Sequence, residues 1–264
     1  MIHQHILAAP RPGLSEEAFQ DYWRYQHALH FARKIPQVLQ YKVDSRLTIT
    51  GQQKEISYSG IAEVWLESEE TQAASLKTPE YINGALKDEP TWAASWQTLV
   101  IDTDARQTFG EDASDRDFPE YKILLFHKKS RELAIEDFRT RYINNHAKRI
   151  KDAKIAQLSS VLHCLTRESF YTGESQNPPF DAVTHISTKS RNDLQQMVAS
   201  EAFQLLLDPE LEGLSEWWGV VSLAVRSEWI VSHCGGNSVN EGPSICQYFC
   251  NFGILTLAGL MKGC

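Results

Sequence analysis

No segment of the 264-residue chain reaches the roughly 20 consecutive apolar residues that a membrane-spanning helix needs. The apolar run 252–261 is too short for it. Basic residues are outnumbered, 26 Lys and Arg against 34 Asp and Glu, for a net charge of -8 and a pI near 5.6. The chain therefore lacks the positive footprint that neutralises phosphates, and neither nucleic acid nor a membrane is expected as a partner. There is no Gly-x-Gly-x-x-Gly after a strand, no Walker loop, no Gly-x-Ser-x-Gly elbow and no His-Glu-x-x-His. Nucleotide-dependent chemistry, serine hydrolysis and zincin proteolysis have nothing to rest on. The first five residues offer neither a basic n-region nor an apolar h-region, so no secretory leader is expected.

Cysteine is sparse and unevenly placed. Cys164 is alone in the body, while Cys234, Cys246, Cys250 and Cys264 crowd the last 31 residues. An odd, clustered set does not describe a disulfide framework, and a reducing cytoplasm is the expected compartment. Cys164 has no nucleophile signature and reads as a small core residue.

What is present is an ordinary globular composition, 42% hydrophobic and 23% charged, arranged as a repeat. Residues 102–120 are acidic, lack apolar periodicity and hold Gly110 and Pro119, which reads as a linker. On either side, Phe19, Trp23 and His27 match Phe138, Tyr142 and His146 at one offset of 119. Further on the offset grows by about three, as a loop insertion produces. Residues 58–65 then lie over 180–187, Tyr81 over Phe203 and Trp96 over Trp218. The expected organisation is a first unit at 1–101, the linker, a second unit at 121–232, and an appended Gly- and Cys-rich tail at 233–264.

Each unit reads β-α-β-β-α-β. In the first, strands are expected at 3–9, 38–49, 57–66 and 96–101, with a helix capped by Ser15 and a second helix at 69–87. This is the ferredoxin-like α+β pattern. Helices cover one face of each four-stranded sheet. The other faces would meet and enclose an apolar, barrel-like cavity within one chain, which would be a monomer with an internal pseudo-dimer or a homodimer.

The segment Phe19-x-x-Tyr22-Trp23-Arg24-x-x-His27-Ala28, followed by Pro36 and Tyr41, resembles the signature of the EthD-domain family of the dimeric α+β barrel group. In the second unit Tyr142 and Ile143 replace Trp and Arg, while His146-Ala147 is kept. The tandem arrangement is similar to EthD-type proteins found beside fungal polyketide synthases. That resemblance implies a cofactor-independent dehydratase, decarboxylase or cyclase acting on an aromatic polyketide-type substrate. It also leaves open a cofactor-free oxygenase or a non-catalytic carrier on the same fold.

His27 is the leading candidate for catalysis, since an imidazole can take a proton from carbon beside a carbonyl or give one to a leaving hydroxyl. The alternative is an interior histidine bonded to a backbone carbonyl, and the same choice applies to His146. Glu63 and His185 hold equivalent positions in the third strands and could converge on one substrate, or sit on a solvated face. His5, His127 and His163 lie on strands, where they line a pocket or serve as hydrogen-bonded structural groups. Trp23, Tyr41 and Trp65 would form aromatic walls, with core packing the competing role for Trp23 and Trp96. Arg24 would pair with a substrate carboxylate or with a structural acid. His30 follows His27 at helical spacing and is a candidate for substrate binding, but no Cys or carboxylate cluster stands at a recognisable spacing beside them, so no metal and no other cofactor is expected.

Overall fold

The computed structural model describes residues 1–110, 119–172, 177–208 and 213–232. The tail at 233–264 and linker residues 111–118 lie outside the described residues. Eight strands form a closed barrel: β1 Ile2–Ala8, β2 Gln40–Arg46, β3 Gly60–Leu66, β4 Leu99–Phe109, β5 Glu120–Lys129, β6 Ser160–Thr166, β7 Ala182–Thr188 and β8 Ser215–Val231. Their order around the barrel is β1-β3-β2-β8-β5-β7-β6-β4, antiparallel at every junction. The two halves join where β4 pairs with β6 and β2 pairs with β8, so closure leaves no free sheet edge.

β4 runs well past the expected end at 101 and takes in residues read as linker. Residues 104–107 are exposed and polar except for Ala105, yet their backbone pairs with Leu162–Leu165. Backbone pairing with β6 does not require apolar side chains, which is why periodicity did not reveal it.

Helices pack on the outer faces. Ser15 caps the first, accepting from the Ala18 amide at 3.2 Å. This helix continues through a π-helical turn at Trp23–His27, and the second half repeats that turn at Tyr142–His146. The helix expected across 69–87 is instead broken. Glu69–Ser75 ends before Pro79, and Thr78 recaps the next run by accepting from the Tyr81 amide. Proline disfavours helical geometry at the residue before it, so the chain restarts there. Among the described residues, no helix is long and apolar enough to cross a membrane.

Strand alternation separates two environments. Ile2, Ala8, Ala62, Val64 and Leu66 face the first-half helices through Phe19 and Trp23. Ile123, Leu125, Val161 and Ile186 face the second-half helices. The opposite faces point into the barrel, and the lumen is not the apolar cavity expected from sequence. Leu7, Ile61, Leu124, Phe126 and Leu223 fill it towards one end. Beside them lies a buried ionic cluster built on Lys122, Glu63 and Asp44. An eight-stranded barrel is narrow enough for its own side chains to fill, and here buried side chains from both halves occupy the interior. Trp96, expected in the core, is 69% exposed on a short turn at Ser95–Gln97.

Candidate active site

A cavity lies outside the barrel, between the first-half sheet and its helices. It has a volume of about 400 Å³. Its origin is legible in a comparison of the halves. In the second half Leu194, Met197, Val198, Phe203 and Leu206 pack the helices onto the sheet with almost no exposure. The equivalent positions 122 residues earlier are Gln72, Ser75, Leu76, Tyr81 and Gly84. These are smaller, polar or turned outward, and several line the cavity. On the sheet, Ala8 and Ala62 line the first-half cavity. His127 and Thr184 take their places in the second half, where Tyr142, His146 and His163 pack against them. The same unit is therefore hollow in one copy and filled by its own rings in the other.

His27 lines the hollow copy and is 8% exposed. Its Nδ1 lies 2.9 Å from Asp88 Oδ2, and Tyr22 donates its hydroxyl to Asp88 Oδ1 at 2.8 Å. The Trp92 indole nitrogen also approaches His27 Nδ1, at 3.2 Å. An indole N–H only donates, so the two neighbours make opposite demands on one nitrogen. The shorter, charge-assisted contact decides: Nδ1 carries the proton and donates to Asp88. That leaves Nε2 as the lone-pair nitrogen, with no hydrogen-bond partner among the described residues. Burial lowers the His27 pKa from its ordinary value, and the hydrogen bond and charge of Asp88 oppose it. The ring is neutral at pH 7 and able to accept a proton.

The walls suit a flat apolar ligand. Trp23 and Trp92 face each other at 4.9 Å between ring centroids, and Tyr41 accepts a hydrogen bond from the Trp23 indole at 3.1 Å. Trp23 sits close against the sheet because position 60 is glycine. A Cβ there would lie 2.7 Å from the Asp44 carbonyl oxygen and 3.0 Å from the Trp23 ring. Polar groups are few. Burial raises the carboxyl pKa of Glu89, and Thr98 Oγ1 is buried without a hydrogen-bond partner among the described residues.

Of the residues singled out from sequence, His27, Trp23 and Tyr41 meet in this cavity. Glu63, His185, His5 and Trp65 lie on the other side of the sheet, in the lumen, so no acid–base partnership between His27 and either Glu63 or His185 exists. Alternation fixed their shared face correctly, but that face looks away from the cavity. His146 and His163 belong to the filled second half. Arg24 forms an ion pair with Glu228, and His30 is exposed at the helix end. Asp88, Glu89 and Thr98 were not anticipated. Two of them sit at the end of what reads as an ordinary charged helix, and nothing in the local spacing ties them to His27.

The lumen holds its own charge network. Lys122 Nζ contacts Glu63 Oε1 and lies 3.3 Å from Asp44 Oδ2, while Lys42 lies 2.9 Å from Glu120. Burial alone would raise both glutamates, but it is outweighed by Lys122, His185 and His3 together at Glu63 and by Lys122, Lys42 and Ser187 together at Glu120, which hold Glu63 well below its ordinary value and Glu120 at about 2. Burial pushes Asp44 up to about 8 despite Lys122. Two lysines thus balance two ionised glutamates, with Asp44 protonated at neutral pH, which keeps the buried cluster electrically neutral.

The EthD domain model matches residues 11–95, the stretch that carries Trp23, His27, Asp88 and Glu89. No curated protein matches the chain in sequence. Among solved structures, an anthrone oxidase-like protein shares 6% identity at a TM-score of 0.58, over 88% of this chain and 93% of that one. A candidate monooxygenase from Fusobacterium nucleatum subsp. nucleatum shares 9% at a TM-score of 0.52, over 86% and 91%. A chlorite dismutase mutant from Candidatus Nitrospira defluvii shares 11% at 0.47, over 85% and 90%. At such identities the likeness is one of fold. The first two structures set the chain among folds of the dimeric α+β barrel type, and the third is too loose to add to that.

Proposed function

We infer that the chain is a cofactor-independent enzyme that deprotonates a hydroxylated aromatic small molecule of polyketide type, and that dehydration is the outcome. The two halves are read as paired ferredoxin-like units of EthD type, of which the first carries the working site. The observation that supports this most is His27, oriented through Nδ1 by Asp88 and presenting Nε2 in an aromatic-walled cavity of about 400 Å³, a size typical of small-molecule sites. In the proposed reaction Nε2 takes a proton from carbon beside a carbonyl. The resulting enolate expels the β-hydroxyl as Glu89 protonates it, so that water leaves and a ring double bond forms. Glu89 takes the acid role because the residue lines the cavity and burial favours its protonated form. Decarboxylation or cyclisation would use the same base.

A cofactor-free oxygenase is the second reading. The enolate or phenolate that His27 would generate is also the electron-rich species that molecular oxygen attacks, and one protein sharing this fold is described as anthrone oxidase-like. Anaerobic incubation with a panel of hydroxylated anthrone- and naphthol-type acids, followed by mass spectrometry, separates the two. Loss of water or carbon dioxide without oxygen supports the lyase. Turnover only in air, with oxygen incorporated, supports the oxygenase, and a retained but unchanged ligand would make the protein a carrier.

A further inference from the structure

Inside the barrel, on the opposite side of the sheet from the cavity, three donors meet that the proposed reaction does not use. His3 and His5 stand two residues apart on one face of β1, with ring centroids 4.3 Å apart. Cys164 reaches them from β6, its Sγ 3.7 Å from His3 Nδ1. A ring nitrogen from each histidine and the thiol sulfur all lie within 4.8 Å of one another, and all three residues are buried.

Glu63 sets the tautomers. His3 Nε2 lies 2.7 Å from Glu63 Oε2 and therefore carries the proton it donates, which leaves Nδ1 as a lone pair facing Cys164. His185 Nδ1 lies 3.7 Å from the same carboxylate oxygen. With the His185 proton drawn to that side, its Nε2 accepts from His5 Nε2 at 2.8 Å. His5 Nδ1 is then a lone pair as well, fully buried and, apart from an electrostatic contact of the ring with the Ile101 backbone, without a hydrogen-bond partner among the described residues. One carboxylate thus turns two imidazoles so that both inner nitrogens lack protons. A histidine whose outer nitrogen donates to a carboxylate is the usual support of a metal ligand. An apolar core gains nothing from leaving such a nitrogen unpaired.

We propose that the lumen binds a zinc-class transition-metal ion through His3 Nδ1, His5 Nδ1 and Cys164 Sγ, with Glu63 and His185 as the outer support. Zinc bonds of about 2.0–2.1 Å to nitrogen and 2.3 Å to sulfur at tetrahedral angles separate donors by about 3.3–3.6 Å, close to the His3–Cys164 spacing. Binding displaces the Cys164 thiol proton to solvent, so affinity falls with acidity. Trp65, only half-buried, stacks on His3 at 4.2 Å and places the site one ring away from the outside. The assembly escapes sequence spacing because its ligands come from strands 161 residues apart.

The test uses the full chain with Cys234→Ser, Cys246→Ser, Cys250→Ser and Cys264→Ser, so that Cys164 is the remaining thiol. After zinc loading and desalting, metal is counted by mass spectrometry and its shell read by X-ray absorption. The expected result is about one zinc per chain with one sulfur neighbour at about 2.3 Å and nitrogen at about 2.0–2.1 Å. Adding Cys164→Ser should remove the sulfur and the tightly held zinc, while His27→Gln should leave both. Cobalt loading gives a second readout that needs no lumen variant, a thiolate-to-cobalt charge-transfer band. A chain that retains no zinc overturns the proposal and makes the cluster a hydrogen-bonded Cys–His–Glu relay. A shell of nitrogen and oxygen alone also overturns it, and would move the ion to His5, Glu63 and His185.

Discussion

His27 Nδ1 and Asp88 Oδ2 meet at 2.9 Å across 61 residues of sequence, joining the end of a π-helical turn to the end of the broken second helical segment. The pairing fixes both the orientation and the tautomer of the ring. With Asn at position 88 the ring loses its charged partner and the proton is free to move to Nε2. Asp88→Asn should therefore lower kcat by about 100-fold, within the range for loss of positioned acid–base catalysis. The acidic limb of the kcat/KM profile should move to lower pH, because the influence that raised the His27 pKa is gone. A profile unchanged in position would break the link between the two residues.

The wild-type profile follows from two opposed groups. His27 must be unprotonated, and burial lowers its pKa from the ordinary 6.5, so kcat/KM rises as pH climbs through a point below 6.5. Glu89 must be protonated, and burial holds its pKa above 4.5, so the rate falls as the carboxyl ionises. Steady-state rates across pH should trace a bell, and Glu89→Gln should flatten its alkaline side while lowering the maximum. An alkaline limb that survives in Glu89→Gln would assign the acid to another group.

Acid should weaken the fold itself. His5, His127, His163 and His185 are neutral in the folded chain, their pKa values driven well below 6.5 mainly by burial. The unfolded chain binds protons at these sites once pH drops below about 6.5, so stability decreases from there downward. Each group contributes up to about 1.4 kcal/mol per pH unit within its window. Thermal unfolding followed from pH 7.5 to 5 should show Tm falling steeply below about 6.5; a Tm flat across that interval would mean the rings are already charged or hydrated.

Gly60 has a narrower role. A methyl group at this position meets the Asp44 backbone at 2.7 Å, and neither the strand nor the Trp23 ring can retreat without cost. Gly60→Ala should destabilise the chain by about 1–3 kcal/mol in urea unfolding. It should also raise KM by displacing Trp23. Wild-type stability in this variant would show that the close approach of ring and strand is not required.

Much of this architecture was legible before any coordinates, for identifiable reasons. The offset that aligns Trp23 and His27 with Tyr142 and His146 reflects paired helices, and period-two alternation put Glu63 and His185 on a common face. Which side of that face held the cavity was not legible. The answer depends on side-chain volume across a closed barrel, and on Gln72, Ser75 and Gly84 standing where Leu194, Met197 and Leu206 stand in the other half. Asp88 was invisible because a carboxylate on a charged helix is unremarkable until a distant histidine is folded against it. His3 was passed over for the same reason: its partners Glu63 and Cys164 are set by strand pairing rather than by spacing.

Turnover depends on His27 as the base, and the most direct measurement compares wild type with His27→Gln on the substrate identified from the anaerobic panel. Turnover would be followed by mass spectrometry and binding by fluorescence of the tryptophans lining the cavity. The predicted result is a rate about 100- to 10,000-fold lower in the variant, with affinity held within a few-fold. A variant that turns over at the wild-type rate, or a wild-type protein that binds the ligand and never transforms it, would contradict it.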